Sequence, residues 1–197
     1  MTIKSVYDNQ RDILDGIKAL YCPDGFDADV TYGNGSFYGD ATPRLKFDID
    51  PQLPCVIQAD SRRLPLGDES VSSVVFDPPF LTYVRSGRTG NGDMALARRF
   101  SGYWRYDELE EHYTSTFREV RRILKSKGVM VLKCQDIIHN HSMHPTHISA
   151  VEWADGFKLE DLFILSAKSR MPSPNRNGTQ KHARIYHSYF MVFRKVA

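Results

Sequence analysis

Apolar residues recur along the chain at two spacings, which together predict three helices and seven strands. Helical spacing is found in Tyr7–Tyr21, Asp107–Lys125 and Thr146–Ala154, because side chains three and four positions apart share one face of a helix. The turn Pro23-Asp24-Gly25 ends the first helix. Gly128 lies shortly after the second helix and favours a helix end there.

Seven short apolar runs predict strands. The runs begin at Phe26, Leu45, Cys55, Val71 and Val129, and the last two are Phe157–Leu165 and Ile185–Lys195. We expect the last two to be antiparallel neighbours, because only a loop-like segment separates them. Strands that alternate with helices indicate an α/β fold with a mostly parallel sheet.

The run Val71–Phe76 ends in a rigid polar tetrapeptide, Asp77-Pro78-Pro79-Phe80. Because the prolines lack the N–H that a strand ladder needs, the strand should stop at Asp77. In an open parallel sheet, the carboxyl ends of the strands face the ligand crevice. There Asp77 and the Pro78 carbonyl could accept hydrogen bonds from a planar amine, and Phe80 could stack on its ring. For the tetrapeptide alone, a strand followed by a Pro-Pro turn is the alternative interpretation.

Acidic residues also mark the three earlier runs. Asp29 precedes Gly33-x-Gly35, whose glycines allow the backbone to approach a ligand closely. Asp48, or else Asp50, could bind a ribose diol, and Asp60 suits an adenine amino group. Each residue taken singly is typical of an ordinary turn, but their serial arrangement favours the ligand-binding interpretation.

Composition indicates a globular protein with one domain, residues 1–197. Hydrophobic residues make up 41% and charged residues 25% of the 197 positions, as in ordinary folded domains. Cys22, Cys55 and Cys134 are widely spaced and odd in number, so we expect reduced thiols that serve packing. The sequence shows neither an apolar h-region nor an apolar stretch of membrane-spanning length, and we therefore expect a cytoplasmic protein that has no membrane partner.

The net charge of +2 is unevenly distributed. A first basic segment, residues 81–105, carries +4, and a second basic segment, residues 166–187, carries +5. Both are rich in small and turn-forming residues and are predicted to be loops. Clustered cations with interleaved aromatic residues can neutralise phosphates and stack on bases, so we expect a nucleic-acid partner, with a merely solvated basic loop as the alternative. The expected contacts are Arg85, Arg88, Arg98, Arg99, Arg105, Arg176, Lys181 and Arg184.

These motifs resemble those of the class I S-adenosylmethionine-dependent methyltransferases, and within them the enzymes that methylate amino groups of nucleic acids and carry an Asp-Pro-Pro-aromatic motif. The segments Phe117–Leu132 and His187–Lys195 are similar to their helix with the fifth strand and to their closing strand. The resemblance implies S-adenosylmethionine as cofactor and residues 77–80 as the catalytic motif. The cofactor contacts that it implies are Asp29, Tyr32, Gly33, Gly35, Asp48, Asp60 and Ser61.

The resemblance further implies a Rossmann-like fold with a seven-stranded, mostly parallel sheet and an antiparallel last strand. Its implied reaction is methyl transfer to an exocyclic amine of a base, with adenine N6 in DNA as our first choice and cytosine N4 beside it. Methylation of an RNA base, or of a protein amine or amide, is one alternative. A non-catalytic nucleic-acid-binding module that keeps the fold is another.

Two features depart from the family pattern. The connections from Gly35 to Leu45 and from Asp50 to Cys55 are too short for full crossover helices. We therefore expect either coil crossings that leave one sheet face poorly covered or a different position for the second strand. An exposed apolar face would favour a second copy of the chain, as in a homodimer. The sequence also lacks a large extra recognition segment, so we expect short or weak sequence specificity.

Four histidines near the end of the fifth strand do not form a standard zinc pattern. Their spacing is irregular and no cysteine pair accompanies them, so we expect loop or surface roles and no metal. The four are His139, His141, His144 and His147. Lys133, Gln135 and Asp136 end the fifth strand near the catalytic edge and are further candidates to shape the pocket.

Overall fold

The computed structural model describes residues 2–39, 42–82, 103, 105–168 and 179–196. Within these ranges the chain forms three helices and ten strands. The helices are α1 (Gln10–Tyr21), α2 (Tyr106–Ile123) and α3 (Thr146–Trp153). The strands are β1 (Val6–Tyr7), β2 (Ala28–Asp29), β3 (Leu45–Asp48), β4 (Ile57–Gln58), β5 (Val71–Phe76), β6 (Leu124–Cys134), β7 (Ile137–His139), β8 (Ser142–His144), β9 (Phe157–Ser166) and β10 (His187–Lys195).

Eight strands form one sheet in the order β1-β9-β10-β6-β5-β2-β3-β4. Strand β10 is antiparallel to both β9 and β6, and the other neighbouring pairs are parallel. The chain places β3 and β4 on one side of β2 and β5 and β6 on the other, so the strand order reverses between β2 and β5. Open α/β sheets bind ligands at such a switch point, outside the carboxyl ends of the strands. The predicted α/β fold with an antiparallel last strand is confirmed, and β1 is an eighth strand that the sequence did not reveal.

Alternating side chains of the central strands divide the core between the two faces of the sheet. Val74 and Phe76 of β5 belong to the cluster that α2 covers, whereas Val75 belongs to the cluster that α1 covers. Phe117 of α2 and Ile13 of α1 are each almost completely buried in these two clusters. Because strand side chains alternate between faces, one apolar run supplies both halves of the core.

Helix α1 begins three residues later than the periodicity predicts. The Asn9 side chain accepts a hydrogen bond from the Arg11 N–H and caps the helix. The preceding Val6 and Tyr7 pair with Ile164 and Leu165 of β9. Their place in the sheet therefore depends on a strand more than 150 positions away, which no local pattern announces.

Gly128 does not end the second helix, contrary to the prediction. Helix α2 stops at Ile123 and β6 begins at once, with Gly128 inside it. Lys127, with φ of 61°, takes the left-handed conformation instead. A side chain at Gly128 would meet the Lys125 carbonyl oxygen at 2.9 Å and the Ser72 carbonyl oxygen at 3.2 Å. The glycine is needed for close backbone approach between β6 and β5.

Among the described residues, no helix lies between β2 and β5, as the short connections predict. The glycine-containing segment, residues 30–39, folds back over one sheet face at β2, whereas β4 is exposed, so the expected poor cover is confined to the outer edge of the sheet. The second predicted strand lies at its expected position, at Leu45–Asp48. Tyr32 and Tyr38 are each 6% exposed, and their rings stack with centroids 5.9 Å apart. Apolar exposure remains at the sheet edge, in Ile49, Leu53 and Ile57. A homodimer through this edge stays a prediction.

The histidine-rich stretch forms the β7–β8 hairpin rather than a plain loop. His139 is buried at 8% exposure, so the expected surface position is wrong for this residue. Cys22 and Cys134 are buried and serve packing, whereas Cys55 is exposed and does not. No helix within the described ranges is both long and apolar enough to cross a membrane.

Candidate active site

Asp77 lies at the carboxyl end of β5, beside the switch point. Its backbone N–H donates a 2.8 Å hydrogen bond to the Thr31 hydroxyl, which ties the end of β5 to the segment after β2. Pro78 is buried, whereas Asp77, Pro79 and Phe80 are half-buried. The strand ends at Phe76, as the prolines predict. The tetrapeptide thus lines the edge of the sheet and keeps its polar and aromatic groups partly accessible.

Lys133 of β6 faces the Asp77 carboxylate. Its Nζ lies 3.5 Å from an Asp77 oxygen and donates a 3.0 Å hydrogen bond to Gln10. The same ammonium lies 5.0 Å from the ring centroid of Phe37 and 5.6 Å from that of Phe190. The Lys133 and Asp77 side chains are 15% and 22% exposed, so water screens their attraction only in part. The ammonium and the carboxylate therefore attract each other across the edge of the sheet.

Asp29 is buried at the end of β2, with 1% exposure. One carboxylate oxygen accepts a 2.7 Å hydrogen bond from the Thr31 N–H, and the other accepts a 2.6 Å hydrogen bond from the Tyr38 hydroxyl. Burial, with smaller contributions from the nearby Asp77 and Asp48, raises the pKa of Asp29 to about 7 against the opposing effect of these two hydrogen bonds. Asp29 therefore anchors the glycine-containing segment through its hydrogen bond with Tyr38, which lies in that segment.

The glycine-containing segment is fixed to β3 by Asp48. An Asp48 carboxylate oxygen accepts a 2.8 Å hydrogen bond from the Gly33 N–H. Gly33 and Gly35 have φ of 59° and 77°, which strain any other residue. A side chain at Gly33 would have open space around it, whereas one at Gly35 would meet the Tyr32 hydroxyl at 2.8 Å. Gly33 thus leaves room above the carboxyl end of β2, and Gly35 lets Tyr32 fold beneath the turn.

Asp60 and Ser61 already have protein partners. Arg62 donates four hydrogen bonds to the Asp60 carboxylate, from its backbone N–H and its guanidinium, at 2.6–3.1 Å. These bonds lower the pKa of Asp60 and use both of its oxygens. The buried Ser61 hydroxyl lies 2.7 Å from His112 Nε2 and 2.9 Å from the Thr116 hydroxyl of α2. An adenine amino group would therefore have to displace Arg62 to reach Asp60.

His112 of α2 is a site residue that the sequence analysis missed. Its Nδ1 is hydrogen-bonded to the Tyr103 hydroxyl, and its Nε2 is bonded to Ser61. Burial, with a contribution from Arg62, lowers the pKa of His112 to about 4. A neutral imidazole thus connects the end of the first basic segment with the turn after β4. Its position within the helical pattern of α2 gives no local signal of this contact.

Gln135 and Asp136 are buried just beyond β6. Asp136 accepts a 2.6 Å hydrogen bond from His147 Nδ1 and a 3.2 Å hydrogen bond from the Tyr189 hydroxyl. The His147 ring stacks on the Tyr189 ring with centroids 4.1 Å apart. These contacts fix Asp136 where the chain leaves the carboxyl edge of the sheet.

Three of the eight expected nucleic-acid contacts lie in the described part of the chain. Arg105 is 63% exposed and paired with Asp107, with 2.6 Å between Nη2 and Oδ2. Lys181 and Arg184 are exposed beyond the carboxyl end of β9. Because β9 runs parallel to β6 through the antiparallel β10, the second basic segment leaves the same sheet edge as Asp77. The remaining five lie outside the described residues: Arg85, Arg88, Arg98, Arg99 and Arg176.

Within the described ranges, no group of three His, Cys, Asp or Glu side chains converges to hold a metal ion. A metal-free site stays a prediction.

The family model for N6/N4 DNA methylases matches residues 71–196. The match begins at β5 and includes the tetrapeptide, Lys133 and β10, whereas the glycine-containing segment, Asp48 and Asp60 precede it. No curated protein sequence matches the chain.

Solved structures share the fold at low sequence identity. TrmN from Thermus thermophilus has a TM-score of 0.54 at 13% identity, over 94% of this chain and 49% of that one. The cytosine-N4-specific PvuII DNA methyltransferase has a TM-score of 0.51 at 17% identity, over 87% and 52% of the two chains. TTHA0409, also from Thermus thermophilus and solved with S-adenosyl-L-methionine, has a TM-score of 0.44 at 23% identity, over 71% and 54%. The chain thus spans about half the length of each.

Proposed function

The chain belongs to the N6/N4 DNA methylase family, and from this premise we propose that it transfers a methyl group from S-adenosylmethionine to the exocyclic amine of a base in DNA, with adenine N6 as the acceptor. The observation that carries the proposal is the placement of Asp77–Phe80 at the switch-point edge, within the residues that the family model matches.

The carboxyl ends of β2, β3 and β4 fit the proposed cofactor. Gly33 leaves open space at its Cβ position, and its N–H is held by Asp48 at the end of β3. We assign Asp29, Tyr32, Gly33, Gly35 and Asp48 to this site; Asp60 joins them if Arg62 swings away, and Ser61 contributes through its backbone. When bound, S-adenosylmethionine supplies an electrophilic methyl group.

The tetrapeptide then positions the acceptor amine. Asp77 and the Pro78 carbonyl accept its hydrogen bonds, which turns the nitrogen lone pair out of conjugation with the ring and stabilises positive charge as it develops. Lys133, with its Nζ 3.5 Å from an Asp77 oxygen, helps to hold this carboxylate in place. Phe80 stacks on the base, which must be unpaired or extruded from a duplex to enter the pocket. This is catalysis by position and charge, with no covalent bond between the protein and the base.

The test is to incubate the protein with cofactor labelled in its methyl group and, separately, duplex DNA, single-stranded DNA, RNA and an unrelated protein. Nucleoside digestion and mass spectrometry identify the product. We expect N6-methyladenine from DNA. N4-methylcytosine in the product would show that the acceptor base is cytosine rather than adenine. Methylated RNA would show that the acceptor polymer is RNA rather than DNA, and label in protein alone would refute a nucleic-acid acceptor. DNA binding without transfer to any acceptor would favour the non-catalytic module.

A further inference from the structure

The β7–β8 hairpin projects past the catalytic edge of the sheet. Phe76, the last residue of β5, pairs with Leu132 of β6, so the chain after Leu132 extends beyond the end of β5. His139 Nδ1 lies 3.1 Å from the Thr82 hydroxyl, two positions after Phe80. The hairpin therefore lies close to the tetrapeptide at this edge of the sheet.

The tip of the hairpin keeps the side chain of His141 at a position where the backbone favours glycine. His139 pairs with Ser142, and the two residues between them, Asn140 and His141, have φ of 49° and 60°. Two-residue turns of this type prefer Asn-Gly, because the second position strains any side chain. Such strain persists where the side chain has a use. Both tip residues are exposed, and Met143 beside them is 49% exposed.

Contacts at both ends hold the tip against the two basic segments. His182 of the second basic segment lies with Nε2 3.0 Å from the His141 carbonyl oxygen. At the base of the hairpin, the His144 ring packs on the Tyr106 ring, with centroids 4.0 Å apart, at the start of α2. Together with the Thr82 contact, these interactions place the hairpin next to described residues of both basic segments.

We propose that Asn140 and His141 form a specificity-determining contact that reads base edges next to the target base. This assignment rests on the proposed function. An Asn amide matches the donor and acceptor pattern of an adenine edge, and an imidazole can donate to or accept from a base. Phosphate contacts from the basic segments carry no sequence information, so this contact supplies direct recognition of bases.

The test is the double variant Asn140→Gly/His141→Gly. Glycine suits both backbone positions, so the hairpin should keep its turn and the protein its melting temperature. We expect affinity for duplex DNA to fall about tenfold, as for the loss of one good base contact. In a random-sequence duplex pool, the preference at positions flanking the methylated base should flatten, while cofactor affinity stays the same.

Lys127→Gly is the matched control, because Lys127 has the same left-handed backbone, with φ of 61°, near the opposite end of β6. It should leave DNA affinity and sequence preference unchanged. If the tip variant binds and selects sites like the parent, the hairpin assignment is wrong while the proposed function stands. If the parent itself neither binds nor methylates nucleic acid, both proposals are wrong.

Discussion

Asp77 illustrates how single residues divide the proposed reaction into separable tasks. Its N–H is tied to Thr31 and its carboxylate faces Lys133, so the group is oriented before any acceptor arrives. Asp48, by contrast, holds Gly33 at the end of β3. The two carboxylates lie on strands separated by β2, and their replacement should affect different measurements.

Asp77→Ala should reduce methyl transfer by about 100-fold or more, the usual effect of removing a group that stabilises the transition state. Cofactor affinity should stay within a few-fold of the parent. Asp48→Ala should instead weaken cofactor binding, because the glycine-containing segment loses its anchor. Single-turnover rates and calorimetric titration separate the two effects, and full activity in both variants would contradict the site.

Asp29 makes stability depend on pH. Its pKa of about 7 in the folded chain lies above the ordinary value of 3.8, so the folded protein keeps a proton that the unfolded chain releases between about pH 4 and 7. The free energy of unfolding should therefore fall as pH rises through this window, by at most about 4 kcal/mol. Asn at this position cannot ionise. Thermal unfolding of Asp29→Asn, measured over this pH range, should not show this loss of stability. A pH dependence equal to that of the parent would contradict the raised pKa of Asp29.

At the scale of elements, local pattern predicts those that are long and apolar. The runs that become β5 and β9 and the periodic face of α2 lie close to their predicted bounds, because burial on a sheet or helix face imposes a regular spacing. Strand β1 has only two residues and forms through β9. The β7–β8 hairpin mixes Ile137, Ile138 and Met143 with polar residues in two strands of three residues each, which are too short for an apolar alternation to mark them.

The residues of the candidate site likewise divide into those whose position the sequence predicts and those whose contacts it does not. The position of Asp77 at a strand end follows from the prolines, which forbid a longer strand whatever the tertiary structure. The contact of Ser61 with His112, by contrast, joins residues 51 positions apart, whose proximity depends on packing of α2 against the turn after β4. Sequence spacing carries no information about such contacts.

The second basic segment should contribute salt-dependent affinity. Lys181 and Arg184 are exposed at the catalytic edge, and each phosphate contact that is lost should lower the log–log salt slope by about one. Lys181→Ala/Arg184→Ala should therefore weaken DNA binding and flatten its salt dependence without changing cofactor affinity. Fluorescence anisotropy over a salt series measures both.

The matched control is Lys125→Ala/Lys158→Ala, which removes two exposed cations at the starts of β6 and β9, the opposite end of the sheet from Asp77. It changes the net charge by the same amount and should keep the parental salt slope. If Lys181→Ala/Arg184→Ala binds DNA with the affinity and the salt slope of the parent, the second basic segment is only a solvated loop.

At the scale of the whole molecule, the part of the chain that we propose binds the cofactor, from β2 to β4, has short strands. Strands β2 and β4 have two residues each, and within the described ranges coil rather than helix connects β2, β3, β4 and β5. Few buried contacts and short strands mark regions that open most readily. A ligand at the ends of these strands should therefore have a large effect on the stability of this part of the chain.

S-adenosylmethionine should raise the melting temperature by roughly 5–10 °C at about 100 times its dissociation constant, since saturation of this order adds about 2.7 kcal/mol for a ligand of the native state. Differential scanning fluorimetry with a cofactor series tests this. NAD and ATP are the controls. Stabilisation by either of these without stabilisation by S-adenosylmethionine would contradict the cofactor assignment.

Strand β10 lies inside the sheet between β6 and β9, although it follows both in the chain. During synthesis β6 leaves the ribosome before β10 has been translated, and the 53 positions from Cys134 to His187 take roughly 3–10 s to add at ordinary translation rates. For that interval β6 presents an unpaired apolar edge, and β9, which ends at Ser166, does so from its own synthesis until β10 follows. Such an edge is the kind of surface that aggregates or recruits a chaperone. The nascent chain thus completes its sheet only when β10 inserts between β6 and β9, which are both synthesised before it.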